Sequence, residues 1–171
     1  VNMFRRFLII SIALIFILLV FVWFSEKDGK LRVYFFDVGQ GDAIYIRTPQ
    51  NHDILIDGGP SDAILTKLGR VMPFYDRTVD MVIITHPHAD HITGLIEVFK
   101  HYAVSEVYLT GALHSTYEYV ALLRLLQSLS ATRKIKVDHQ FSVLIEEGVR
   151  MQFLYPDFDV NAKTALQEHL F

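Results

Sequence analysis

The sequence predicts an α/β domain that follows one membrane-spanning helix, and three observations support this architecture. Residues 7–24, FLIISIALIFILLVFVWF, form an apolar run whose only polar side chain is Ser11. Beyond this run, short β-rich stretches alternate with stretches of helical periodicity, as they do in α/β folds. Residues 25–171 are numerous enough for one domain with its own core and too few for two domains.

Composition and charge exclude several classes of protein. Of the 171 residues, 51% are hydrophobic, and the mean hydropathy of +0.29 is high for a soluble protein. These values exclude a disordered chain, a coiled coil and a small disulfide scaffold. The absence of cysteine excludes disulfides and thiolate metal sites. Residues 25–171 contain 14 of the 16 Lys and Arg and all 19 Asp and Glu, which gives a formal net charge of −5. They lack the basic block of a non-enzymatic nucleic-acid binder.

The apolar run is predicted to be a retained membrane anchor. Its 18 residues would span ~27 Å as a helix, close to the ~30 Å hydrocarbon core of a bilayer. Trp23 and Phe24 close the run, at a position where aromatic rings favour the interface. Arg5 and Arg6 precede it, so the positive-inside rule predicts a cytoplasmic N-terminus over residues 1–6. A cleaved signal peptide and a buried helix stay as alternatives, although no A-x-A cleavage pattern follows the run.

The rest of the chain divides into a short polar linker, residues 25–30, and a domain, residues 31–171. An anchor with its N-terminus in the cytoplasm places this domain outside the cytoplasm. The first three β-rich runs, at 31–38, 43–48 and 53–57, are separated by short turns and therefore predict an antiparallel meander.

The later part of the domain alternates between helical and strand patterns. The predicted elements are a helix from Ser61 or Asp62 to about Met72, a strand at 79–85, a helix at 92–102, a strand at 106–109, a helix from the capping box at 115–118 to Ser130, and strands at 134–137, 141–145 and 149–155. The strand at 79–85 is apolar enough to be buried on both faces. The last helix is predicted to bury one face, which contains Val120, Leu123, Leu126 and Leu129.

Residues 86–91, HPHADH, contain the candidate chemistry. Four metal-capable side chains fall within six residues, directly after the buried strand, and strand ends are where α/β folds place their sites. Imidazole and carboxylate groups are both zinc ligands. His86 and His88 can point the same way in an extended turn, whereas Asp90 and His91 follow on the bend and can face a second ion. A histidine-rich surface turn is the alternative, and the position after a buried strand argues against it.

The hexapeptide after a hydrophobic strand resembles that of the metallo-β-lactamase-fold hydrolases. Residues 36–43, FDVGQGDA, resemble the opening motif of the extracytoplasmic hydrolase domain in the DNA-uptake channel of natural competence, the ComEC family. Residues 55–59, LIDGG, are similar to the superfamily's first motif, and residues 83–86, IITH, to its usual lead into the histidines. The resemblance covers about residues 31–155. It implies an α/β fold of the metallo-β-lactamase αβ/βα sandwich type, here its N-terminal part only, preceded by one transmembrane helix.

The resemblance also implies the metal ligands. His86 and His88 would hold a first metal ion. Asp90 and His91 would hold a second, with Asp90 also placed to orient or deprotonate the attacking water as the catalytic residue. The implied cofactor is Zn²⁺, with two ions in a complete domain, and manganese or iron as alternatives.

The neighbours of the ligands have implied roles of their own. Asp57 would bond near the metal loop, and Gly58 and Gly59 would allow close approach of the backbone. Asp42 and Gln40 would lie at the rim of the site.

The family's later ligands are not evident in the sequence. The family has a third ligand to the first metal, a bridging Asp within Gly-Asp and a final His, and no Gly-Asp follows the hexapeptide. His139 is predicted to be a surface residue, and His169 lies in a stretch without strand pattern. His114 precedes the capping-box helix and is a candidate substrate contact, with a solvated loop histidine as the alternative. Tyr117 and Tyr119 are predicted to be packing residues.

We therefore expect a domain that is C-terminally incomplete. Such a half-domain would expose an apolar face, bind metal weakly and be nearly inactive on its own.

The leading interpretation is a membrane-anchored, metal-dependent hydrolase, ComEC-like, that acts on phosphodiester bonds of DNA. Single-stranded DNA is the expected substrate and a DNA-uptake channel protein the expected partner, while residues 7–24 contact the membrane. Because the domain is acidic, metals or the channel would have to supply the positive field. One alternative is a hydrolase of a small ester, thioester or lactam, since the fold does not choose among these substrates. The other is a truncated, catalytically inactive module beside the channel.

Overall fold

A long apolar helix precedes an α/β domain. The computed structural model describes residues 2–25 and 29–161; the predictions made for residues 26–28, for His169 and for the side chains of Trp23 and Phe24 lie outside this description. The helix, α1 (Asn2–Ser25), exposes its apolar side chains from Met3 to Phe21. Its segment Met3–Phe21 is long and apolar enough to cross a membrane, a property that a signal sequence near an N-terminus shares.

The domain contains eight strands and three further helices within residues 29–161. In chain order these are β1 (Arg32–Phe35), β2 (Ile44–Arg47), β3 (Asp53–Ile56), α2 (Ala63–Val71), β4 (Thr78–Ile84), α3 (Ala89–His101), β5 (Ala103–Leu109), α4 (Tyr117–Ser128), β6 (Arg133–Lys136), β7 (Phe141–Glu146) and β8 (Val149–Phe153). The predicted α/β class and the order of its elements are therefore confirmed.

Six of the strands form one mixed sheet in the order β1-β2-β3-β4-β5-β6. The pairs β1–β2 and β2–β3 are antiparallel, which confirms the predicted meander. The pairs β3–β4, β4–β5 and β5–β6 are parallel, as expected where a helix joins successive strands. Strands β7 and β8 form a separate antiparallel hairpin.

Different elements cover the two faces of the sheet, and one face stays uncovered at β1. The helices α2, α3 and α4 pack on one face, where Leu68, Leu95 and Leu122 are fully buried. The β7–β8 hairpin packs on the other face, where Phe153 joins the sheet residue Tyr108. Strand β4 contributes side chains to both cores, so its prediction as a strand buried on both faces is confirmed.

Two helix starts differ from the prediction. Helix α3 begins at Ala89 and not at Ile92, because the Gly58 amide donates to the His91 carbonyl (2.8 Å) and ties the first helical turn to the end of β3. Helix α4 begins after Thr116 and not at a capping box on Ser115, and Thr116 makes no side-chain capping bond.

The start of α4 also determines which face is buried. Its fully buried residues are Tyr119, Leu122 and Leu126, and the predicted Leu123 and Leu129 are partly buried against the same core. The predicted face is therefore confirmed in part, and Leu122 is the buried residue that it left out.

Candidate metal centre

The candidate site lies where β3 and β4 end side by side. The two strands are parallel with Ile56 opposite Ile83, so residues that follow them meet at one edge of the sheet. His86 and the two residues after it form a loop, and Ala89 opens helix α3. The hexapeptide is therefore half loop and half helix. Asp90 and His91 lie on the first turn of α3, which corrects the expectation that they follow on a bend.

Asp57 is the buried residue beneath this loop. It is 1% exposed and has a φ of +56°, a left-handed conformation at the end of β3. Its Oδ1 accepts a hydrogen bond from the Thr85 amide (2.9 Å), and its Oδ2 accepts one from Thr85 Oγ1 (2.5 Å). His91 Nδ1 lies 2.9 Å from the same Oδ2. A carboxylate accepts and does not donate, so His91 Nδ1 carries the proton and Nε2 offers its lone pair.

Two glycines let the end of β3 touch helix α3. A Cβ on Gly94 would lie 2.0 Å from the Gly58 carbonyl oxygen, and one on Gly58 would lie 2.7 Å from the Leu95 nitrogen. The Gly94 amide instead donates to the Gly59 carbonyl at 2.9 Å. The close approach expected for Gly58 and Gly59 is thus present, and it fixes the helix that presents His91.

The FDVGQGDA loop forms one side of the site. Gly41 has a φ of +101°, and a Cβ there would lie 1.9 Å from the Asp90 carbonyl oxygen. The Asp42 carbonyl accepts from the Gly59 amide at 3.0 Å. Gln40 Nε2 lies 3.5 Å from Asp90 Oδ2.

The side chain of Asp42 stays largely exposed. Its Oδ2 lies 3.9 Å from His91 Nδ1. Together with Gln40 it therefore stands at the rim, where it borders the histidines without being buried among them.

Three imidazoles lie together at this edge. The His86 ring centroid is 3.9 Å from that of His91 and 4.8 Å from that of His88. Ligand atoms of Asp57, His86 and His91 all fall within 4.8 Å of one another. His86 Nδ1 also lies 2.9 Å from Thr85 Oγ1.

The electrostatics favour the ligand form of His86. Burial lowers the pKa of His86 below its ordinary value, and the neighbouring His91 lowers it further. A neutral imidazole is the form that binds metal. Clustered nitrogen donors with nearby carboxylates fit zinc, and they also fit manganese or iron. That His86 and His88 hold one ion, and Asp90 and His91 a second, stays a prediction.

Thr85 is the residue that the sequence reasoning missed. Its hydroxyl donates to Asp57 and contacts His86, so it links the buried carboxylate to the first histidine. Its hydroxyl group and its position between the buried strand and the hexapeptide are the sequence signal that could have identified it.

His114 approaches the histidine cluster from the start of α4. It is half-buried, its ring centroid lies 5.5 Å from that of His88, and its Nδ1 lies 3.0 Å from Thr116 Oγ1. Tyr119 packs behind it and is buried, as predicted, whereas Tyr117 is 83% exposed and its prediction as a packing residue was wrong.

Comparison with known proteins identifies relatives of the domain. The family model described as "Metallo-beta-lactamase superfamily" matches residues 36–152, more than half of the chain. The chain is 35% identical over 57 residues to a hydroxyacylglutathione hydrolase of Photobacterium profundum, which covers 33% of this chain and 21% of that protein.

Two further matches are partial as well. A hydroxyacylglutathione hydrolase of Aeromonas salmonicida is 28% identical over 65 residues, which covers 38% of this chain and 24% of that protein. The crystal structure of a metallo-beta-lactamase fold protein from Bacillus subtilis matches with a TM-score of 0.42 and 21% identity, over 60% of this chain and 40% of that one. The chain thus spans about a quarter of the length of these curated relatives, or less.

Proposed function

Because the chain belongs to the metallo-beta-lactamase superfamily, we propose that it is a metal-dependent hydrolase whose metal is held by His86, His88, Asp90 and His91. The observation that supports this best is the 2.9 Å contact between His91 Nδ1 and Asp57. A carboxylate behind a metal-ligating histidine fixes its tautomer and ring orientation. Zinc is our first assignment, with two ions in a complete domain and manganese or iron as alternatives.

The residues around the metal would have separate tasks. When bound, a divalent metal supplies Lewis acidity and activates water at neutral pH. We assign Asp90 to orienting or deprotonating the attacking water, as the resemblance implies, and its carboxylate is on the first turn of α3, directly after the loop that carries His86 and His88. Gln40 lies close enough to hold that carboxylate in place. His114 would contact the substrate beside His88.

DNA is the substrate that we propose first. The FDVGQGDA loop, which resembles the ComEC family's opening motif, lies directly against Asp90 through the close packing of Gly41. The motif that suggests the subgroup is therefore part of the site. Carboxylates at the site repel phosphate, so the metal or a DNA-uptake channel partner would have to supply the positive field.

A thioester is the second candidate substrate. Two matched relatives are named hydroxyacylglutathione hydrolase, and the matched segments cover a third or more of this chain. A lactam or another small ester, or an inactive module beside the channel, are the remaining outcomes to be tested.

A turnover comparison separates these candidates. The full chain, purified in detergent with zinc, is offered single-stranded DNA, a thioester and a lactam. Because this chain alone is expected to be nearly inactive, we expect slow hydrolysis of DNA that a chelator abolishes, that Asp90→Asn reduces at least tenfold and that His139→Ala leaves unchanged. Turnover of the thioester alone would favour the second candidate, and a zinc-loaded chain inactive on all three substrates would identify the module as non-catalytic.

We also propose that α1 is a retained anchor with a cytoplasmic N-terminus. The chain has no cysteine, so single cysteines can be placed at Asn2 and at the exposed Leu113. A membrane-impermeant maleimide applied to intact cells should label Leu113→Cys and not Asn2→Cys. Labelling of Asn2→Cys alone would reverse the topology.

A further inference from the structure

The end of the sheet opposite the candidate metal centre is where the chain enters the domain. Strand β1 begins there, because Arg32 pairs with Arg47 and Arg47 pairs with Asp53 at the start of β3. The loop of residues 73–77 lies at the same edge, just before β4. We call this part, the start of β1 together with residues 73–77, the tether edge. The seven residues of β4 separate it from the metal centre by about 20 Å.

The chain enters the domain from α1 at the tether edge. Helix α1 ends at Ser25 and β1 begins at Arg32. Seven residue steps of fully extended chain reach at most about 25 Å. The end of α1, and the surface of any membrane that α1 spans, therefore lie within about 25 Å of the tether edge.

Two aromatic side chains project from the tether edge. Phe74 is 86% exposed and Tyr75 is 54% exposed, with their rings edge to face at 5.3 Å. Their loop is held in place, because Asp76 accepts a hydrogen bond from the Thr78 amide (3.1 Å) and pairs with Arg47 (3.9 Å). Exposed aromatic rings on a fixed loop are what a membrane interface accommodates best.

The charged side chains at the two ends of the helices also differ in sign. Helices α2 and α3 end at the side of the tether edge, with Arg70 and Lys100 in their last turns, and Lys100 is paired with Glu97 of the same helix at 2.7 Å. At the opposite end, α3 and α4 begin with Asp90 and Glu118 in their first turns. Anionic lipid head groups attract the cationic side chains at the first end.

We propose that the tether edge docks on the surface of the bilayer that α1 spans, with Phe74 and Tyr75 in the head-group region. The metal centre then faces away from the membrane, about 20 Å from the docked edge, and receives its substrate from the aqueous side. The proposal depends on α1 being a membrane anchor and does not depend on the identity of the substrate.

Site-directed fluorescence tests this orientation in the full chain. Because the sequence has no cysteine, Phe74→Cys, Leu113→Cys and Phe16→Cys each give one labelling site for an environment-sensitive fluorophore. Each labelled chain is placed in nanodiscs of phosphatidylcholine and phosphatidylglycerol that contain lipids spin-labelled near the head group or deep in the acyl chain. Leu113 is the matched control, since it is 84% exposed but lies next to His114, at the end of the sheet that carries the candidate metal centre.

The label at 74 should be quenched by the shallow spin label at least threefold more than the label at 113, and the label at 16 by the deep one. Equal quenching at 74 and 113, or stronger quenching at 113, would overturn the proposed orientation. An unquenched label at 16 would contradict the proposal that α1 is a membrane anchor. The docking proposal depends on that anchor and would fail with it. Zinc binding and turnover of the same labelled chains report on the hydrolase proposal separately.

Discussion

At the scale of single residues, Asp57 determines how His91 is presented. Its left-handed backbone lets the carboxylate face back under the metal loop, where it binds Thr85 and His91 together. The sequence motif LIDGG indicated an Asp near the loop, but neither the positive φ nor the Thr85 contacts could be predicted. Both depend on the parallel pairing of β3 with β4, which brings distant residues together.

Replacing Asp57 tests this role. Asn tolerates the left-handed conformation and keeps the shape of the side chain, but it does not supply the negative charge behind His91. We expect Asp57→Asn to keep the fold and to weaken zinc affinity by about 10- to 100-fold, measured by competition with a chelator. Asp62→Asn is the matched control, because Asp62 is exposed and makes no side-chain capping bond. Equal zinc affinity of the two variants would contradict the role.

A second buried carboxylate, Asp53, predicts a pH dependence of stability. Burial raises the pKa of Asp53 to about 6, against the lowering effects of the Tyr45 hydroxyl, which donates to it at 2.5 Å, and of Arg47. The unfolded chain has an ordinary Asp pKa of about 3.9. Between these two values the folded chain keeps a proton that the unfolded chain has lost, so the free energy of unfolding falls as pH rises from about 4 to about 6.

Asp53→Asn removes this titration while keeping an acceptor for Tyr45. Urea unfolding in the presence of a chelator, at pH 4.5 and at pH 7, should show the variant gaining stability relative to wild type at the higher pH. A stability difference that is the same at both pH values would show that Asp53 titrates normally.

At the scale of elements, the contact between β3 and α3 explains how the candidate site is assembled and why the start of α3 was predicted wrongly. Strand β4 was predictable because a continuous apolar run has few other interpretations. The start of α3 was not, because Ala89 and Asp90 join the helix through the Gly58 and Gly59 backbone bonds to His91 and Gly94. Such long-range contacts leave no periodic signal in the sequence.

Two glycine substitutions in helices separate this contact from helix propensity. Gly94→Ala places a Cβ 2.0 Å from the Gly58 carbonyl oxygen and 2.6 Å from that of Ser61. We expect it to lower the free energy of unfolding by about 3 kcal/mol and to weaken zinc binding. Gly69→Ala in α2 meets nothing within 4 Å and should stabilise the chain by about 0.5–1 kcal/mol.

Urea unfolding of both variants is the measurement. If Gly94→Ala were as stable as wild type, the close packing of α3 on the end of β3 would be refuted.

At the scale of the whole molecule, the two-sided sheet could be predicted only in part. The meander and the alternation that follows were predictable from turns and periodicity. The position of the β7–β8 hairpin was not, because it depends on Glu146, a buried carboxylate that accepts hydrogen bonds from Thr48 Oγ1 (2.6 Å) and the Gln50 amide (3.2 Å). These contacts join residues nearly a hundred positions apart.

The expected exposed apolar face is found on β1. Leu31, just before this strand, and Val33 and Phe35 within it are 54%, 47% and 78% exposed. The hairpin covers the sheet at strands β3 and β4, where its residues pack with Ile54 and Met81. The molecule thus combines a histidine-rich candidate metal site, an exposed aromatic pair at the tether edge and one uncovered apolar strand face.

We expect the histidine cluster at the ends of β3 and β4 to bind metal, and equilibrium dialysis against zinc is the decisive test. The wild-type chain is compared with a His86→Ala/His88→Ala variant and with a His101→Ala/His139→Ala control, whose histidines are exposed and outside the cluster. Wild type and control should bind zinc equally, and the His86/His88 variant should lose binding while its circular dichroism spectrum is unchanged. Stoichiometric zinc retained by the His86/His88 variant would contradict the account.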